Sequence, residues 1–211
     1  MSERTTLVTL LIVCIVLIFF GVVEGRGEKL YGFDIYYIKE KDTLSKIAPR
    51  EHWDLIKKVN RIDEKHLRVG EKIFIIKDLE KAKNFCPVPP KPIHSGHSKI
   101  LYFFLDIQYF AAYHSDKLFL WGPISSGKKG MESPVGHFKV LWKRKDYFSK
   151  KYQAPMPYAV NFSEKGYFFH QQSLPGKPAS HGCIRLLKED AEKLFYWVER
   201  NNPIVITRKK P

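Results

Sequence analysis

Residues 178–186 read Pro-Ala-Ser-His-Gly-Cys-Ile-Arg-Leu, and His170 stands thirteen residues before Cys183. One short turn therefore gathers a thiol, close-approaching backbone amides and a guanidinium. A thiolate attacks carbonyl carbon far better than a thiol does, and an imidazole within reach can take the proton and later return it to a leaving amine. His170 and His181 are both candidates for that imidazole. Gly182 lacks the Cβ that would crowd the backbone, so the amides of Gly182 and Cys183 are expected to face a developing oxyanion. Ser180, His181 and Gly182 are the residues expected at the oxyanion or in a positioning role. Arg185 offers a planar, permanently charged fork suited to a carboxylate. Read alone, a cysteine beside Ile184 and Leu186 could equally be an inert buried side chain.

The flanking sequence bears on that choice. Ile100 to Ile107 reads as a first strand, and Leu118 to Ser126 as a strand entering a Gly/Lys turn. Then come Ser133-Pro134-Val135-Gly136-His137-Phe138, Met156-Pro157-Tyr158, Phe168-Phe169-His170, the Ser-His-Gly-Cys turn and Asn202-Pro203-Ile204-Val205-Ile206. In order and spacing these stretches resemble the L,D-transpeptidase (YkuD-like) catalytic family from Lys99 to Arg208. The resemblance implies a mainly β, sandwich-like fold with a cleft at the Cys183 turn. It implies Cys183 as nucleophile and His170 as general base, with His181 beside the nucleophile. Arg185 and Tyr158 are implied at the substrate. The spacing from His170 to Cys183 matches the family's shorter variant, while Gln171-Gln172 stand where a glycine is common.

Upstream, Tyr36 to Lys77 reads as strand, helix, helix, strand. Asp42-Thr43 starts a short helix that Pro49 ends, and Trp53, Ile56 and Val59 share one face of a second helix closed by Asn60. Leu67, Gly70, Ile73 and Ile75 give a turn and a strand. With Lys-Asp-Thr-Leu-Ser and Val-Gly-Glu-Lys-Ile, this unit resembles a LysM domain, a small α+β (βααβ) fold that implies binding of peptidoglycan glycan strands. Its expected bounds are 36–78. Residues 79–98 hold Pro87, Pro89, Pro90 and Pro92, which favour an extended, semi-rigid spacer joining it to a separate catalytic unit at 99–208.

The remaining features set the compartment. Arg4 precedes an apolar run from Leu7 to Val23, so residues 1–25 read as a cleaved signal peptide or an uncleaved N-terminal membrane anchor. Either carries the rest across the membrane. A net charge of +14 suits anionic envelope polymers, and export removes the nucleic-acid alternative. Cys86 and Cys183 could form a disulfide in an oxidising setting, but that would seal the candidate nucleophile. No Cys-x-x-Cys or His-x-x-x-His spacing suggests zinc, and nothing implies an organic cofactor. The expected protein is a peptidoglycan L,D-transpeptidase of the cell envelope, with stem peptides as substrate and no nucleic-acid partner. A hydrolase using the same site and a non-catalytic wall-binding protein are the alternatives.

Overall fold

The computed structural model describes residues 32–94 and 96–209. The leader expected at 1–25 lies outside them, and among the described residues no helix is long and apolar enough to cross a membrane.

In the smaller unit β1 (Phe33–Tyr37) pairs antiparallel with β2 (Lys72–Ile76), and α1 (Leu44–Ile47) and α2 (Trp53–Asn60) lie between them in sequence. Ile56 and Val59 are buried, as their spacing requires, and α2 stops where Arg61 turns left-handed at φ 57°. Asn60 ties the helix to the sheet, donating to the Phe74 carbonyl and accepting from its amide, both at 2.8 Å. The core is small: Ile38, Ile62 and Ile73 cluster with half-buried neighbours, and Leu44, Ile56 and Val59 are buried beside them. So few buried side chains are marginal for an independent fold.

The larger unit is one nine-stranded sheet: β3 (Lys99–Phe104), β4 (Tyr109–His114), β5 (Lys117–Ser125), β6 (Gly136–Lys139), β7 (Trp142–Ser149), β8 (Ala154–Ser163), β9 (Tyr167–Gln171), β10 (Ile184–Leu186) and β11 (Pro203–Thr207). Their spatial order is β6-β11-β3-β4-β5-β10-β9-β8-β7. Only β11 on β3 and β10 on β9 run parallel among these pairings. The near-continuous apolar run of β3 is buried on both faces. Leu101 and Phe103 face the main core, which a C-terminal helix, Lys188–Trp197, closes with Ala191, Leu194 and Phe195. Ile100, Tyr102 and Phe104 face the other way.

That outer face explains where the proline-rich segment goes. After α3 (Leu79–Ala82), Cys86 and Val88 pack on it, Tyr113 donates its hydroxyl proton to the Pro89 carbonyl at 2.8 Å, and the His94 amide donates to Tyr102 Oη at 3.0 Å. The prolines keep the strap extended, but it is packed against an apolar surface instead of standing off as a spacer. The C-terminal helix is numbered α4 below.

The two units also touch directly. Tyr109 donates to the carbonyls of Lys58 and Val59 at 3.1 Å, and Lys58 Nζ reaches the Trp121 carbonyl at 3.3 Å and Asp190 Oδ1 at 3.1 Å. Ile62 bridges Pro175. Gly122 is required here for space: a Cβ would stand 2.2 Å from Asp190 Oδ2. The α2 face that sequence leaves as merely apolar and basic is thus a docking surface.

Candidate active site

Parallel pairing of β9 and β10 builds the site. Successive strand residues point to opposite faces. Phe169, Ile184 and Leu186 enter the core, so His170 and Arg185, which are register partners, share the other face. Cys183 is the last residue of the turn before β10. Cys183, His170, Arg185, Ser180 and His181 all line one small cavity of about 150 Å³, with Met156 and Tyr152 on its walls. A larger groove of about 840 Å³ reaches Cys183 and His181 from the side of β7 and the β8–β9 turn.

Hydroxyls set the shape of the turn. Ser180 Oγ accepts from the Gly182 amide at 3.0 Å and donates to the Cys183 carbonyl. Ser133 Oγ accepts from the Gly127 amide at 2.9 Å and donates to the Gly182 carbonyl at 2.8 Å. Gly182 has φ +112°, and a Cβ there would meet Tyr167 Cε1 at 2.6 Å. The Gly182 amide is therefore engaged inside the turn; of the two amides expected at an oxyanion, this one is turned inward. His181 is exposed, and Tyr152 stacks on it with centroids 5.0 Å apart.

His170 is 5% exposed, and its Nδ1 lies 2.9 Å from the Gln171 carbonyl. A carbonyl only accepts, so Nδ1 carries the proton and Nε2 is left as the acceptor. Burial lowers the imidazole to about 4, with the Gln171 carbonyl pulling upward and Arg185 adding to the depression. Burial also raises the Cys183 thiol, against the Phe168 amide, Arg185 and Lys151. Both groups rest neutral near pH 7. The thiol therefore needs a base at the moment of attack, and a neutral imidazole can serve. Burial lowers Arg185, against the pull of Cys183, yet it stays cationic in the cavity wall.

Tyr158 departs from expectation. It lines neither cavity; its hydroxyl donates to Glu192 Oε1 at 2.8 Å and its ring packs edge-on to Phe195 of α4. The cause is its φ of +54°, which breaks the alternation of β8. Met156 and Ala159 consequently join Cys183 and Phe168, while Tyr158, Val160 and Phe162 face the main core. Phe168 stacks with Tyr147 at 5.1 Å and meets Trp142 edge-on. Ser133, Met156 and Tyr152 were not singled out from sequence. Ser133 lies in the stretch Ser133 to Phe138, where it carries no chemical signal of its own, and Tyr152 sits in a charged stretch with no motif at all. Cys86 and Cys183 are free thiols, and no cluster able to hold a metal occurs among the described residues.

Residues 99–206 match the profile of the L,D-transpeptidase catalytic domain, and residues 36–75 that of the LysM domain. Over 101 residues the chain is 29% identical to a probable L,D-transpeptidase 3 of Mycobacterium tuberculosis, covering 40% of this chain and 37% of that protein. A crystal structure of an L,D-transpeptidase from Stackebrandtia nassauensis superposes with a TM-score of 0.51 at 24% identity, over 56% of this chain and 60% of that one. An LD transpeptidase solved in complex with imipenem gives 0.50 at 16% identity, over 86% and 85%. The chain thus spans little more than a third of the curated relative, and the structural likenesses are likenesses of fold.

Proposed function

Because the chain belongs to the L,D-transpeptidase catalytic-domain family, whose profile takes in about half of its length, we propose that it is a cysteine acyltransferase acting on peptidoglycan stem peptides outside the cytoplasmic membrane. The observation that carries the reading is the shared cavity of Cys183, His170 and Arg185.

In this reading Arg185 holds a carboxylate of the donor stem. Cys183 Sγ attacks the carbonyl carbon of the stem's third residue while His170 Nε2 takes the thiol proton. The C–N bond to the terminal D-alanine breaks, and the imidazolium returns the proton to the departing amine. A thioester remains. An acceptor amine then attacks it, giving its proton to His170, and the C–S bond breaks to free the thiol and leave a new amide. The smaller unit holds peptidoglycan glycan strands, in keeping with its LysM match. The bounds 36–78 and 99–208 are proposed for the two units, with the strap between them and residues 1–25 as leader or anchor.

Purified protein incubated with a disaccharide-tetrapeptide, followed by mass spectrometry, tests the reaction. Cross-linked dimer is expected from the parent and none from Cys183→Ala. Trimmed tripeptide alone would make the enzyme a hydrolase, and no product would favour a non-catalytic wall-binding protein.

A further inference from the structure

The loop after His170 is held at its far end by the smaller unit. Asp63, just past the left-handed cap of α2, accepts the Leu174 amide on Oδ2 at 2.9 Å and donates its own amide to the Leu174 carbonyl at 3.0 Å. Its other oxygen, Oδ1, accepts from the Lys65 amide at 2.9 Å and sits 2.7 Å from His66 Nδ1, so the carboxylate is fixed within its own unit. Ile62 bridges Pro175, and Leu174 is fully buried. Three residues separate Leu174 from His170. The first, Gln171, supplies the carbonyl that fixes the imidazole; the second, Gln172, is bonded to the Leu186 carbonyl at 3.2 Å and lines the Cys183 cavity. It also lines the cleft between the two units, with Asp63 and Lys57.

We propose that Asp63 is a positioning residue for His170: a carboxylate from the wall-binding unit clamps the loop whose first carbonyl sets the imidazole's tautomer and orientation. This rests on His170 being the base. The docked unit is then part of the catalytic apparatus and does more than deliver it to the wall.

The test uses the full chain and the rate at which a carbapenem acylates Cys183, followed by intact mass across pH. The titratable and charged groups that line the cavity with the imidazole are Cys183, His181, Arg185 and Tyr152. Asp63→Ala is expected to slow acylation at pH 7 by about tenfold or more and to move the acidic limb from near 4 toward 6.5 as water reaches the ring. Asp63→Asn keeps one carbonyl oxygen and is expected to recover most of the rate, with a limb between the two. Glu64→Gln, on an exposed neighbour, stays parental. A parental limb in Asp63→Ala, whatever its rate, overturns the proposal. If that variant does not fold, an unmoved limb in Asp63→Asn overturns it. His170→Ala separates the two levels: a parental rate there rejects the base itself, and the clamp with it, whereas a hundredfold loss beside an unaffected Asp63→Ala rejects the clamp alone.

Discussion

His170 is kept neutral by burial, and the sign of its pH dependence follows. With the folded pKa near 4 and the free imidazole near 6.5, the base role proposed for this imidazole would persist down to about pH 4, where protonation removes it. Acylation by a carbapenem is expected to fall through an acidic limb near 4; a limb near 6.5 would mean a solvated histidine. Stability follows the same group: between pH 6.5 and 4 the unfolded chain binds a proton that the folded one refuses, so this contribution declines on acidification and levels off below 4. At Gly182 space and φ act together. Gly182→Ala is expected to abolish acylation while the melting temperature falls only modestly, since the strain is confined to one turn. The gathering of Cys183, His170 and Arg185 at one cavity was legible, because each combines a chemical need with a short spacing. Tyr158 was not, because one left-handed residue reversed the face that β8 presents, and no local signal in the sequence marks that.

At the scale of elements, the turn bearing Cys183 depends on a segment fifty residues earlier. Ser133→Ala would leave the Gly127 amide and the Gly182 carbonyl without their shared hydroxyl, a cost of about 1–3 kcal/mol for buried groups. The expected result is a lower melting temperature together with slower adduct formation, measured on the same preparation; a drop in stability with unchanged acylation would show that the hydroxyl serves the fold alone. Strands β3, β4, β9 and β11 and helix α4 could be read from apolar runs and periodicity. The β7–β8 hairpin could not. Trp142 to Phe148 is an edge strand with almost every side chain exposed, including Lys143, Arg144 and Lys145, so it shows no alternation. Arg144 and Lys145 also discourage another strand from adding to that edge.

At the scale of the molecule, the two units were readable but their attachment was not. Prolines at 87–92 argue for a tether, which would let residues 36–78 be removed without loss of turnover on a soluble muropeptide. The packed strap and the docked α2 predict the opposite: that deletion uncovers Tyr109, Trp121 and Asp190 and lowers turnover as well as wall binding. The buried pair at the interface gives a sharper check. Burial pushes Asp190 up to about 6 although Lys58, whose Nζ stands 3.1 Å from Oδ1, pulls it down. Lys58→Met would strand that carboxylate, at a cost of about 3–5 kcal/mol, and Asp190→Leu in the same chain should restore most of it. Denaturant melts of the three variants measure the coupling; additive losses would mean the pair does not hold the units together. A flexible tether would let the reacting cysteine sweep a volume around a gripped glycan, with an effective concentration set by linker length. In the proposed reaction a unit bolted at Asp63, Lys58 and Tyr109 has no such freedom, so a strand held there would present its stems at one fixed offset, and the molecule would work as a ruler, marking cross-links at intervals set by its own dimensions.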